Sequence, residues 1–195
     1  MKNFKQIAIA AALLVGSQLA IADGVYLIAS VGPAIPASSV KSDLDSSFIS
    51  AGYRGLSTSM SNGTSMRGGL GYAIGDTLAV EGAYFNSGTM TYSGTASGVG
   101  VNADLKVTAM QIAIVGSFPV SDQLSLYGKF GYSHASTDAA VRFGTFTGST
   151  SENKNSAGYG VGAMYKVSDK ISVRAGYEKY ASDLTGFLVG IQLKF

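Results

Sequence analysis

Apolar residues alternate with small or polar ones along most of the chain. The clearest case is Phe187–Phe195, where Phe187, Val189, Ile191, Leu193 and Phe195 interleave with Leu188, Gly190, Gln192 and Lys194. A period of two places the two sets on opposite faces of a β-strand. Seven further segments read the same way: Gly24–Gly32, Ser65–Ile74, Leu78–Phe85, Leu105–Phe118, Leu124–Ser133, Ala157–Val167 and Ile171–Tyr180. In Leu78–Phe85, for example, Leu78, Val80, Gly82 and Tyr84 stand opposite Ala79, Glu81, Ala83 and Phe85. The pattern predicts eight strands. The turns Gly75–Thr77, Pro119–Gln123 and Ser168–Lys170 are short and polar, as hairpin connections are. Between them, the Ser/Thr/Gly/Asn-rich stretches 33–64, 86–104 and 134–156 are expected to be long loops, with a brief fourth connection at 181–185.

Face polarity separates two architectures. A soluble barrel or sandwich is apolar inside and polar outside. Here the second face holds Gly, Ser and a few charges, which suits the narrow interior of an eight-stranded barrel. The apolar face carries Tyr72, Tyr84, Phe118, Phe130, Tyr132, Tyr159, Tyr165, Tyr177, Phe187 and Phe195, mostly near segment ends. Aromatics gathered at two levels form the girdles of a membrane barrel, and closure satisfies every backbone donor and acceptor inside lipid. The expected fold is all-β: an eight-stranded antiparallel up-and-down transmembrane β-barrel. Short turns on one side and long loops on the other imply periplasmic turns and extracellular loops. An even strand count puts both termini on the periplasmic side.

The N-terminus agrees with export. Lys2 and Lys5 precede an apolar run, Ile7 to Val15, and Ala20-Ile21-Ala22 is a small-x-small cleavage pattern. Residues 1–22 are expected to be a removed signal peptide and residues 23–195 the barrel domain. The apolar run is too short to span a bilayer, which needs about 20 residues. Removing Lys2 and Lys5 changes 14 Lys plus Arg against 12 Asp plus Glu into an even balance, so the basic pI gives no reason to expect nucleic acid as a partner. With 0 Cys there is neither a disulfide framework nor a thiolate metal site, and no cofactor is expected.

Gly69–Tyr72 with Leu78–Tyr84, Phe118–Tyr132, Val167–Glu178 and the terminal strand resemble the OmpA-like outer-membrane β-barrel family. The resemblance implies insertion among outer-membrane lipid and lipopolysaccharide. It also implies that the alternating set Phe187, Val189, Ile191, Leu193 and Phe195 is the signal read by the barrel-assembly machinery. Full-length OmpA proteins carry a peptidoglycan-binding domain after the barrel, and that role is not expected here.

Face parity turns Arg67, Glu81, Lys129, Arg174 and Glu178 inward. Enclosed charges are costly unless paired, so these five are expected to form an ion-pair network. In the resembled family such a network is thought to plug or gate the lumen, a role the resemblance extends to Glu81, Lys129 and Arg174. The alternative is that they fill the interior and fix strand register. Three lesser candidates remain. His134 and Ser136, with Glu152 nearby in sequence, resemble the residue set of the PagL-like lipid A deacylases. Asp43 and Asp45 offer too few ligands for Ca²⁺, which takes six to eight oxygens. Gly160-Val161-Gly162 lies inside a strand pattern, so it is not a nucleotide loop. The expected function is structural, in the cell envelope, with at most narrow gated diffusion. The second expectation is surface adhesion through the long loops toward an unknown ligand, and the third is a lipid A-modifying enzyme. Enzyme activity is not the expectation.

Overall fold

The computed structural model describes residues 24–195. The expected signal segment lies outside the described residues. In chain order the elements are β1 (Val25–Pro36), α1 (Ser38–Ser50), β2 (Ser57–Met60), β3 (Gly63–Ile74), β4 (Leu78–Ala96), β5 (Val99–Pro119), β6 (Leu124–Phe143), β7 (Phe146–Lys166), β8 (Ile171–Ala181) and β9 (Leu184–Lys194).

Eight of the strands close into an antiparallel ring in the order β1-β3-β4-β5-β6-β7-β8-β9, and β9 pairs back onto β1. The registers Tyr26↔Gly71 and Leu27↔Leu193 hold β1 between β3 and β9. β2 stands outside the ring, paired with the far end of β4 through Ser57↔Thr95 to Met60↔Tyr92. The outward face is apolar and uncovered, with Phe130 at 66% and Ile112 at 69% exposure. All ten aromatics of the apolar face stand outward, which only a lipid surround makes favourable. No helix among the described residues is long and apolar enough to cross a membrane; the strands make the crossing.

The stretches 86–104 and 134–156 are not loops. β4 and β5 run on through 86–104 as a paired ladder and reverse at Ser97-Gly98, both at positive φ (51° and 76°), the backbone a two-residue hairpin requires. β6 and β7 likewise continue to Phe143↔Phe146, turning through Gly144 at φ 55°. β4 to β7 are 19 to 21 residues long, against 11 or 12 for β1, β3, β8 and β9. A tilted strand crosses a bilayer in about 9–11 residues, so roughly half of each long strand stands beyond the lipid. There the outward face meets water, the outward apolar set is no longer needed, and the alternation that marks a strand fades.

The third stretch, 33–64, also contains structure. α1 lies against the inner face of the extended sheet, with Leu44 and Phe48 joining Tyr53 and Leu56 over Tyr92, Ala96, Val101 and Ala103. Phe48 stacks on Tyr92 with ring centres 6.4 Å apart, and Tyr53 meets Phe143 edge-on at 4.7 Å. Asp45 fixes the helix from the polar side, accepting hydrogen bonds from Tyr92 Oη (2.6 Å), Thr58 Oγ1 (2.7 Å) and Lys41 Nζ (2.6 Å). The Ala37 side chain caps nothing. A helix this short and uncapped is held by its docking rather than by its own propensity.

Candidate functional site: the lumen

The inward positions of β3, β4, β6 and β8 deliver Arg67, Glu81, Lys129, Arg174 and Glu178 to one level of the barrel. Each is at most 4% exposed. Arg67 spans the two acids: Nη2 lies 2.6 Å from Glu81 Oε2, and Nη1 lies 3.2 Å from Glu178 Oε1. Lys129 pairs with Glu178, and Arg174 pairs with Glu81. All five sequence-derived residues therefore meet in one cluster. Three cations face two anions, so the cluster carries a net charge of +1.

Neutral groups extend it, leaving Arg67 Nε as its one buried polar side-chain atom without a hydrogen-bond partner among the described residues. Tyr26 Oη donates to Glu81 (3.1 Å), Lys129 donates to Gln111 (2.7 Å), Gln111 donates to Ser133 (3.1 Å) and Tyr180 donates to Glu178. The Arg174 guanidinium lies 4.4 Å from the centre of the Tyr127 ring, an attractive cation–π placement. Tyr26, Gln111, Tyr127, Ser133 and Tyr180 were not singled out from sequence. The inward parity that identified Glu81 also covers Gln111, Tyr127, Ser133 and Tyr180, because polar neutral residues complete buried ionic clusters.

Apolar residues flank the charges on both sides. Toward the short turns lie Tyr26, Ile28, Ala79, Val115 and Tyr127. Toward the hairpins lie Phe85, Met90, Val107, Leu184 and Leu188, with Phe85 and Tyr180 stacked at 3.9 Å. Interior glycines make room for the rings: a Cβ on Gly71 would fall on the Tyr26 ring, and one on Gly176 would fall on Tyr127. Open space is divided accordingly. A cavity of ≈ 150 Å³ at the turn end touches Glu81 and Arg174, and a separate one of ≈ 160 Å³ lies at the hairpin end.

The remaining candidates are not assembled into sites. His134 and Ser136 share the outer face of β6, whereas Glu152 pairs with Thr137 and so belongs to the inner face. The acid that a Ser–His pair needs is on the wrong side of the sheet, and His134 Nδ1 instead meets Asn155 Oδ1 at 2.6 Å. Asp45 spends its oxygens on α1 docking, and no acid or His cluster suited to a metal occurs among the described residues. Gly160-Val161-Gly162 lies within β7. Phe187, Val189, Ile191, Leu193 and Phe195 form the outward stripe of β9 and its end.

The chain matches the family model of the outer membrane protein beta-barrel domain over residues 7–195. Neisserial surface protein A superposes with a TM-score of 0.58 at 20% identity, covering 89% of this chain and 98% of that one. OprG from Pseudomonas aeruginosa gives 0.54 at 12% identity, covering 89% and 96%. Ail of Yersinia pestis, solved in complex with the heparin analogue sucrose octasulfate, gives 0.53 at 17% identity, covering 89% and 100%. These likenesses concern the fold. No curated protein matches the sequence.

Proposed function

We propose that this chain, which belongs to the outer membrane protein beta-barrel domain family of small OmpA-like barrels in the bacterial outer membrane, serves the envelope as a plugged structural scaffold. The observation that carries this reading is the stacking of the lumen: a buried ion-pair layer between two apolar layers. A water-filled pore needs a continuous polar path, and the stacked Phe85–Tyr180 pair lies across it. Diffusion is then at most narrow and requires the layers to part. In this reading residues 1–22 are a removed signal, the short turns and both termini face the periplasm, and the hairpins face outward. The terminal alternating stripe is the feature the assembly machinery reads. No catalytic role is assigned, because Glu152 is turned away from His134 and Ser136.

Planar-bilayer recording of the purified protein, beside Glu81→Ala, tests the scaffold. Silent bilayers with both proteins shown to be inserted are expected. Steady channels that change with Glu81→Ala would overturn the scaffold and make the network a gate.

The ordered hairpins favour a second reading, a surface interaction role. Cross-strand hydrogen bonds such as Thr91 to Asp104 (2.8 Å) and the docked α1 make this end a firm platform. Trimming β4–β5 back to the ring level would abolish binding to cells or matrix if this reading holds.

A further inference from the structure

The cavity at the hairpin end is a chamber inside the barrel, and its walls come from all eight ring strands but β3. Its sides are apolar: Met60, Met90, Leu105, Val107, Ala135 and Leu184. Its floor is the layer containing Phe85 and Tyr180, which separates it from the charges below. Val40 of α1 contributes from the helix side. The chamber is therefore blind, closed off from the turn end.

One side of the wall is open. β7 pairs with β8 only from Tyr159 onward, so its stretch from Phe146 to Gly158 has a partner in β6 alone. β8 and β9 meet at Ala181↔Leu184, below that free stretch. The gap between is bridged by one ion pair, Lys154 Nζ to Asp183 Oδ2 at 3.7 Å, with both side chains more than half exposed (56% and 53%). An exposed pair of this kind contributes only about 0–1 kcal/mol, so it yields to a ligand without large cost.

The chamber's size and lining name the ligand. Its volume of ≈ 160 Å³ is close to that of a cavity of about 150 Å³ that stays dry and takes up benzene. At the mouth stand Glu152, which makes no salt bridge among the described residues, and the Lys154–Asp183 pair, so the mouth carries a net charge of −1 whether that pair is closed or parted. We propose that the chamber binds small amines with an aryl or short alkyl body, the body among Met60, Met90 and Val107 and the ammonium at Glu152. The site rests on neither the scaffold reading nor the side of the membrane on which the hairpins stand.

Benzylamine titrated into the protein in lipid nanodiscs, read by NMR of labelled methionine methyls, is the test. Met60 and Met90 line the chamber, while Met66 and Met110 stand on the outer face at 42% and 66% exposure and report simple partition into lipid. Saturable shifts at Met60 and Met90, with Met66 and Met110 unmoved, are expected. Ala135→Phe fills the chamber and abolishes the shifts. Glu152→Gln, at the exposed mouth, weakens benzylamine about fivefold and leaves benzyl alcohol unchanged. Shifts that do not saturate, or that are equal at all four methionines, overturn the site, as does binding that survives Ala135→Phe. Benzoate binding as tightly as benzylamine, or a Glu152→Gln variant that keeps full affinity for the amine, overturns the cationic class. Glu152 lies in an exposed strand, so that arm decides the matter even if Ala135→Phe does not fold.

Discussion

Replacing Glu81 by Gln measures how dry the lumen is. Glu81 is 1% exposed and receives Arg67, Arg174 and the Tyr26 hydroxyl. Gln keeps the size and one acceptor oxygen but removes the charge, leaving three buried cations opposite Glu178 alone. Breaking a buried pair by deleting one partner costs about 3–5 kcal/mol, because the surviving charges stay desolvated. The same change in a hydrated, screened lumen costs about 0–1 kcal/mol. Urea titration of the protein in lipid vesicles, followed by circular dichroism, separates the two. The midpoint is expected to fall at constant slope, which assigns the change to stability rather than to compactness. The double variant Glu81→Gln, Arg174→Gln is the internal control. Removing the stranded guanidinium is expected to recover part of the loss, giving a coupling energy that a merely disruptive substitution would not show. A single-variant loss below about 1 kcal/mol, with no recovery in the double, would refute the dry, paired interior and the plug with it.

Gly71→Ala is expected to cost about 1–3 kcal/mol in the same titration, since its Cβ falls on the Tyr26 ring. Gly68→Ala points into open space on the lipid face and is expected to change stability by less than about 0.5 kcal/mol. Asp45 sets a pH limit on α1. Burial pushes its carboxyl up, but hydrogen bonds from Lys41, Tyr92 and Thr58 outweigh this and hold it at about 2, below the usual 3.8. A depressed carboxylate contributes its stability above the unfolded value and loses it as pH falls through the folded one. Protection of the α1 amides, taken relative to the intrinsic exchange rate at each pH, should therefore be constant above the usual carboxylate range and fall between there and about 2. Tyr92→Phe removes one donor and should move that onset to higher pH.

The ring strands were legible because lipid enforces the code: each outward position must be apolar wherever the strand is in the bilayer. Val80 and Tyr84 alternate with Glu81 and Phe85 for that reason. Past Asn86 and His134 no such demand acts on the outward face, and the Ser, Thr and Gly there read as loop although the ladder continues and Tyr92, Val101 and Ala103 stay buried on the inner face. Local signals were nonetheless present. Ser97-Gly98 between Ala96 and Val99 is a two-residue hairpin turn, and Val40, Leu44 and Phe48 recur every fourth residue, the spacing of one helix face. That stripe lay among serines with no capping box, so it was not recognised as α1. In the lumen, charge made Arg67, Glu81, Lys129, Arg174 and Glu178 conspicuous. Phe85 and Tyr180, equally inward, carry no charge, and their stacking depends on a register across the barrel that one chain segment does not reveal.

The pairing of strands around the ring explains why the charges sit where they do. Hydrogen-bond ladders join nearest neighbours only, so they fix each hairpin without fixing one wall against the opposite wall. Arg174 on β8 and Glu81 on β4 are four strands apart in a ring of eight, which makes their ion pair a tie across the full diameter. Arg67 on β3 adds a second cross-barrel tie to Glu178 on β8. A one-residue slip of any of these strands would turn its inward charge onto the lipid face, where Arg or Lys costs about 2–4 kcal/mol near the midplane. The correct register removes that penalty and gains the ion pairs together. The apolar layer on the hairpin side strengthens the discrimination by keeping water from screening a mispaired charge from that end. On the proposed scaffold reading, the network is the part of the fold that tells one closed barrel from its slipped alternatives, a property a scaffold needs and a permissive pore does not.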